Sequence, residues 1–322
     1  MGLPRDAGDV IHIRAVSPPD VTPGLVRSLE ANQGVVSLVV AEGVARNPTG
    51  DALEFDVITA QANQVLEQLH ALDLGRRGSI VIENVDAYYS ERADRAERDA
   101  PAAASLAPIW EEAEIRIRAL GHYPPSWFAL LTIAGLIGAV GILINSQILI
   151  VAAMVVGPEY GAIINAALAL NERDQTRVRD ALRALLVGFS VAIVASLLFG
   201  LIIRATNQEP RAFDLGIRPV SDLINSPNVF SVVVAVLAGI VGVVSLTEAR
   251  ANTLIGVFIS VTTIPAAADL GVSSAFGAWR EVRGSLIQLL LNIGILIAVG
   301  AVGLRVQRRV WSRWARPRPA AG

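Results

Sequence analysis

Residues 127–304 form a succession of apolar blocks, and no other feature limits the fold of this chain as much. A helix crossing a bilayer needs about 20 mostly apolar residues. Six segments approach or exceed that length: 127–144, 147–170, 184–203, 229–247, 253–270 and 285–304. Most acidic side chains fall in residues 1–126 instead. Over all 322 residues the chain is 53% hydrophobic and 17% charged, where an ordinary soluble domain is about 25% charged. A single soluble domain and a disordered chain are therefore excluded. The pattern predicts a multi-pass α-helical membrane domain joined to a soluble N-terminal module.

The net charge of −2 argues against nucleic-acid binding, which calls for a basic patch or stripe. All 27 basic residues are arginines. With no cysteine there are no disulfides, thiolate zinc sites or CxxC motifs. His12, His70 and His122 have no metal-ligand spacing, so neither metal nor cofactor is expected. The start, Met1 to Asp6, lacks the basic and apolar regions of a signal peptide. The N-terminal module is accordingly expected on the cytoplasmic side.

Within residues 1–90, Val10–Val16, Val35–Val40, Leu53–Ile58 and Ser79–Val85 are β-type runs. Thr22–Ala31 and Gln61–Leu72 have helical spacing, with Leu25, Val26 and Leu29 on one face of the first and Val65, Leu66 and Leu69 on one face of the second. The order βαββαβ predicts an α+β, ferredoxin-like domain. Gly75-Arg76-Arg77-Gly78 reads as a turn rather than a phosphate loop. Residues 91–126 read as a charged linker followed by an interfacial amphipathic helix over Trp110–Leu120.

Arginine placement sets orientation. With the N-terminal module inside, Arg116 and Arg118, the group Arg173, Arg177, Arg179 and Arg183, Arg250, and the basic tail 305–322 are cytoplasmic. Both termini then lie on the cytoplasmic side of a prokaryotic inner membrane. Trp311 and Trp314 suit headgroup anchors. Arg280 and Arg283 fit the rule poorly, so the fifth segment can instead be re-entrant.

A faint internal repeat carries the functional signal. Asn145 opens the second span and Pro158 interrupts it; Asn252 precedes the fifth and Pro265 interrupts that one, at an Asn-to-Pro separation of 13 positions each time. Upstream, Ala134-Gly135-Leu136-Ile137-Gly138 resembles Ala238-Gly239-Ile240-Val241-Gly242. Three spans per half is an odd number, so the second half enters from the opposite side. That predicts an inverted 3+3 repeat with broken second and fifth helices, a plan found in secondary transporters. Proline frees backbone carbonyls, and these are tolerated at bilayer depth only within protein or beside a watery cavity. Glu159 directly follows the first break. A carboxylate within a span costs about 2.5–3.5 kcal/mol on insertion scales, so a functional role is the default reading. It can bind a cation, carry a proton or pair with an arginine, unless the span is shorter and places it at the surface. Asp269, four residues past Pro265, is expected near the outer surface. Thr262 and Thr263 offer hydroxyls to a cavity or to their own helix backbone. Gly157 adjoins the break, while Gly135, Gly138, Gly141 and Gly161 permit close helix approach. The candidate binding residues are thus Glu159, Gly157, Pro158, Asn145, Thr262, Thr263, Pro265 and Asp269.

The run from Asn145 to Ile163, centred on Ala153-Met154-Val155-Val156-Gly157-Pro158-Glu159, resembles the signature of a prokaryotic membrane family, the domain of unknown function numbered 389. So do Ser231–Pro265 and Leu291-Asn292-Ile293. The resemblance spans roughly 127–304. Gly157 stands where the signature has Ser, Glu159 where it has Leu, and Ala162 where it has a second Pro; Pro265-Ala266 replaces a Pro-Pro pair. The resemblance implies an integral inner-membrane protein and supplies neither substrate nor catalytic residues.

Together these features predict a transporter or channel-like protein for a small solute or ion, sited between the broken helices, with a cytoplasmic regulatory or oligomerisation domain. The bilayer, a small solute or ion, and further copies of the chain are its expected partners. The alternative is a membrane-anchored sensor or scaffold whose soluble domain binds the ligand. No HExxH or GxSxG motif is present, so an enzyme is not expected.

Overall fold

The structure, a computed structural model, describes residues 10–85, 88–100, 108–247 and 263–314. Arg250, Asn252, Thr262, the 253–262 part of the fifth segment and the tail from residue 315 lie outside the described residues, as do the side chains of Trp311 and Trp314. The chain divides into two compact units, one reaching to Glu112 and taking in the chain from Gln307, the other Ala113–Val306.

The first unit contains β1 (Val10–Ser17), α1 (Thr22–Ala31), β2 (Val35–Arg46), β3 (Thr49–Ile58), α2 (Thr59–Ala71), the single turn α3 (Leu74–Arg77) and β4 (Ser79–Asn84). The sheet order is β2-β3-β1-β4, with every adjacent pair antiparallel. Alternation on β1 sends Ile11, Ile13 and Ala15 into the interior. Ile11 and Ile13 join Leu53, Phe55 and Val57 of β3 in one core with Leu25, Leu29, Val65, Leu66 and Leu69 of the helices. The β2–β3 hairpin is longer than its apolar runs, pairing out to Arg46 opposite Thr49. Between Ala41 and Ala45 the register shifts at a bulge, where Gly43 takes φ +65°. The Gly43 N–H donates to Asp51 Oδ1 at 2.7 Å.

The Thr22 hydroxyl, together with that N–H, holds the Asp51 carboxyl below the usual carboxylate range. A lowered folded value stabilises above the unfolded one, near 4, and the contribution fades as pH falls through the folded value. The protection factor of the Gly43 amide is therefore expected to fall below about pH 4. Asp51→Asn should remove that dependence in hydrogen-exchange measurements.

Residues 91–99 correct the sequence reading. They form a helix, α4 (Glu91–Asp99), where a charged linker was expected. The Ser90 hydroxyl caps it by accepting the Arg92 and Ala93 N–H groups, and Glu91 and Asp94 in its first turn suit the helix dipole. Its apolar face is small: buried Ala93, with Ala96 and Ala100, meets Val10, Val36 and Ile58.

The remaining elements are helical: α5 (Trp110–Ala119), α6 (Pro125–Leu143), α7 (Gln147–Val156), α8 (Glu159–Glu172), α9 (Gln175–Ala205), short α10 (Arg211–Asp214) and α11 (Pro219–Ile224), α12 (Val229–Thr247), α13 (Thr263–Ala275) and α14 (Trp279–Trp314). Among the described residues, α6, α9, α12 and the 279–310 part of α14 are long and apolar enough to cross a membrane, and α7 with α8 makes a fifth span if the bent pair counts as one. Large apolar side chains face outward, among them Ile148, Leu186, Ile202, Phe230 and Leu290. A water-exposed helix would put polar residues there, so these faces match lipid.

The helices meet in a reciprocal pattern. A Cβ on Gly135 of α6 would stand 3.1 Å from Ala192 Cβ of α9, and one on Gly138 would stand 2.9 Å from Ala268 Cβ of α13. In α12, a Cβ on Gly239 would stand 2.8 Å from Val299 of α14, and one on Gly242 would overlap the Tyr160 hydroxyl of α8. Each 19-residue helix thus uses its first glycine against the long helix that follows it and its second against the other half. Tight turns with a left-handed residue, Arg173 (φ 59°) and Gly277 (φ 70°), lead into the two long helices.

Candidate functional site

The break between α7 and α8 follows from two residues. Pro158 has no N–H, and a residue before proline is driven to extended backbone; Gly157 obeys, with φ −72° and ψ 133°. The helices bend by 50° there. The Trp127 indole N–H donates to the Pro158 carbonyl at 3.3 Å. A Cβ at Gly157 would overlap the Ile264 side chain and the Glu159 carboxylate, so a larger residue would require both side chains to shift.

Glu159 is the first residue of α8, where the helix dipole favours a carboxylate. It is 5% exposed. Its Oε1 accepts the Thr263 hydroxyl at 2.8 Å, a contact between α8 and α13. Its Oε2 is buried and has no hydrogen-bond partner among the described residues. An unsatisfied buried polar group costs about 1–3 kcal/mol, more when charged. Such a group in a folded protein calls for an explanation, and a water, an arriving donor or a cation would each supply one.

The structure brings together Gly157, Pro158, Glu159 and Thr263, and places Pro265 in the first described turn of α13. Asn145 lies elsewhere. It occupies a left-handed turn (φ 54°) ahead of α7, and its Nδ2 donates to the Ile217 carbonyl at 3.2 Å. Ten residues of helix, about 15 Å, separate it from the break. Thr262 lies outside the described residues.

Asp269 forms a second centre. It is 0% exposed and six residues along α13 from Thr263. Its Oδ1 accepts Ser221 of α11 at 2.6 Å and Ser273 at 3.3 Å; its Oδ2 accepts Ser285 of α14 at 2.5 Å. Ser273 also lies 3.3 Å from Glu281, whose carboxylate pairs with Arg218 at 3.0 Å. Arg218 stacks over the Phe213 ring at 4.0 Å. Asp269 therefore ties three segments together, and its oxygens are satisfied where Glu159 Oε2 is not.

Sequence reasoning missed Ser221, Ser273, Ser285 and Trp127. Only Ser273 had a signal, its i+4 spacing from Asp269. It also missed a polar cluster at the far end of α8. There Arg177 pairs with Glu172 and donates to buried Asn165 at 3.0 Å, and Asn165 donates to the Tyr123 hydroxyl at 3.4 Å. Among the described residues no three His, Asp or Glu side chains come together as a metal site.

No curated protein and no solved structure matches the chain. A family model does match, over residues 154–298, a stretch that includes the break, Glu159, Thr263, Asp269 and Ser285. Its description is Domain of unknown function (DUF389), and the matched residues lie among the membrane-type helices.

Proposed function

We propose that the protein is a transporter or channel-like protein whose site for a small cation, or a small solute presenting N–H or O–H groups, lies at the Gly157–Pro158 break. The buried Oε2 of Glu159, without a hydrogen-bond partner among the described residues, carries this reading. The reciprocal glycine contacts support an inverted 3+3 arrangement of six spans, in which Glu159 comes from one half and Thr263 from the other. The strand order β2-β3-β1-β4 supports a ferredoxin-like N-terminal domain; arginine placement supports putting it, with both termini, on the cytoplasmic side of a prokaryotic inner membrane, in a regulatory or oligomerising role. No enzymatic step is assigned to the chain.

The test is thermal unfolding of the full-length protein in detergent against Na⁺, K⁺, ammonium, divalent cations, amino acids and polyols. A ligand at 100 times its Kd stabilises by about 2.7 kcal/mol. At least one compound is expected to raise the unfolding temperature of wild type, and Glu159→Gln should abolish that shift. Uptake of the same compound into proteoliposomes should fall at least about tenfold in the variant, the loss of about 1.4 kcal/mol of binding. A shift that Glu159→Gln retains would move the site elsewhere and favour a sensor or scaffold.

A further inference from the structure

The groove between the end of α8 and the first turns of α9 has about 620 Å³ of space, with Leu170, Arg173, Arg179, Leu182, Arg183 and Leu186 among its walls. Arg179 and Arg183 are four residues apart on one helix face, where like charges repel. Nearby Arg177 and Arg118 are already paired with Glu172. Arg173 and Arg179, by contrast, take part in no ion pair among the described residues, and Arg183 has only Asp180 at 3.9 Å, both of them exposed. Asp174, the other acid facing this turn, is engaged in capping α9. Leu186 is 70% exposed, with Leu170 and Leu182 at 45% and 44%. Arg179 and Leu186 are seven residues apart, about 10 Å along the axis, at the polar end of an apolar helix long enough to span.

We infer that this groove binds an anionic phospholipid, its phosphate on Arg179 and Arg183 within reach of Arg173 and its acyl chain along Leu182 and Leu186. A phosphate between the two arginines removes their mutual repulsion, and the chain covers leucines that a free phosphate would leave bare. Basic pockets at membrane level take such headgroups for this reason. The site is independent of what the helix break carries.

Native mass spectrometry of the full-length protein tests this, with phosphatidylglycerol and phosphatidylcholine offered together. Wild type is expected to retain phosphatidylglycerol preferentially. Arg179→Gln with Arg183→Gln should weaken that retention by about tenfold or more, while Arg211→Gln, on another segment, leaves it unchanged. Equal retention of both lipids, an unchanged double variant, or displacement by millimolar inorganic phosphate would overturn the inference. Should the double variant not fold, wild type alone decides. Retention must weaken as salt rises, and salt-independent retention rejects the site.

Discussion

Asp269→Ala is expected to destabilise the helical unit by about 2–5 kcal/mol, because each buried donor left without an acceptor costs about 1–3 kcal/mol. Ser221 and Ser285 are both 0% exposed, and each donates to a different oxygen of Asp269. Ser273 loses less, since Glu281 is also within its reach at 3.3 Å. Reorientation of a serine toward its own helix backbone recovers part of the loss, which sets the lower end of the range. Asp269→Asn should cost less, as its amide keeps one acceptor. Reversible unfolding in mixed micelles measures these differences, and a double-mutant cycle with Ser285→Ala should give a coupling of about 1 kcal/mol or more. A loss under about 1 kcal/mol for Asp269→Ala would mean that the serines hold α11 and α14 in place without it.

Gly271→Ala should be similarly damaging through one methyl group. A Cβ there would stand 2.6 Å from the Ile193 carbonyl oxygen and 2.7 Å from the Leu197 nitrogen. Both are backbone atoms of α9, so no rotamer change relieves the overlap and α13 must move away. Overpacking of this kind costs about 1–3 kcal/mol, occasionally more. Gly294→Ala in α14 is the matched control, because nothing among the described residues lies within 4 Å of its added methyl. Helix propensity alone would then make it neutral or stabilising by up to about 1 kcal/mol. If the two substitutions behaved alike in the same unfolding assay, the close α9–α13 approach would be wrong.

Where apolar length or proline chemistry decides local structure, the sequence was legible. The fourth candidate span, 229–247, coincides with α12, and Gly157-Pro158 breaks the second as its dihedral preferences require. Other features escaped because their causes are not local. The β2–β3 hairpin outruns its apolar alternation because the bulge at Gly43 takes residues out of the period-2 pattern. The α4 helix offers only alanines to the sheet, too little apolar surface to be noticed among nine residues rich in charge. The Asp269 centre depends on Ser221, 48 residues away on a two-turn helix that no periodicity announces. The carboxylate at Glu159 could be singled out from its position after the break, but its hydroxyl partner and its unoccupied oxygen required the packing of α13 against the first half.

Aligning Pro158 with Pro265 pairs Glu159 with Ala266, and Thr263 with Val156. The contact between carboxylate and hydroxyl thus has an apolar image under that alignment, where neither position offers a proton or a lone pair. Under the proposed inverted arrangement, the two halves share a backbone plan but not this contact. One copy supplies the acceptor wall and the other the donor wall, and neither wall occurs twice. A chain made symmetric at these positions would hold either two carboxylates or none, so the proposed site depends on the lopsidedness.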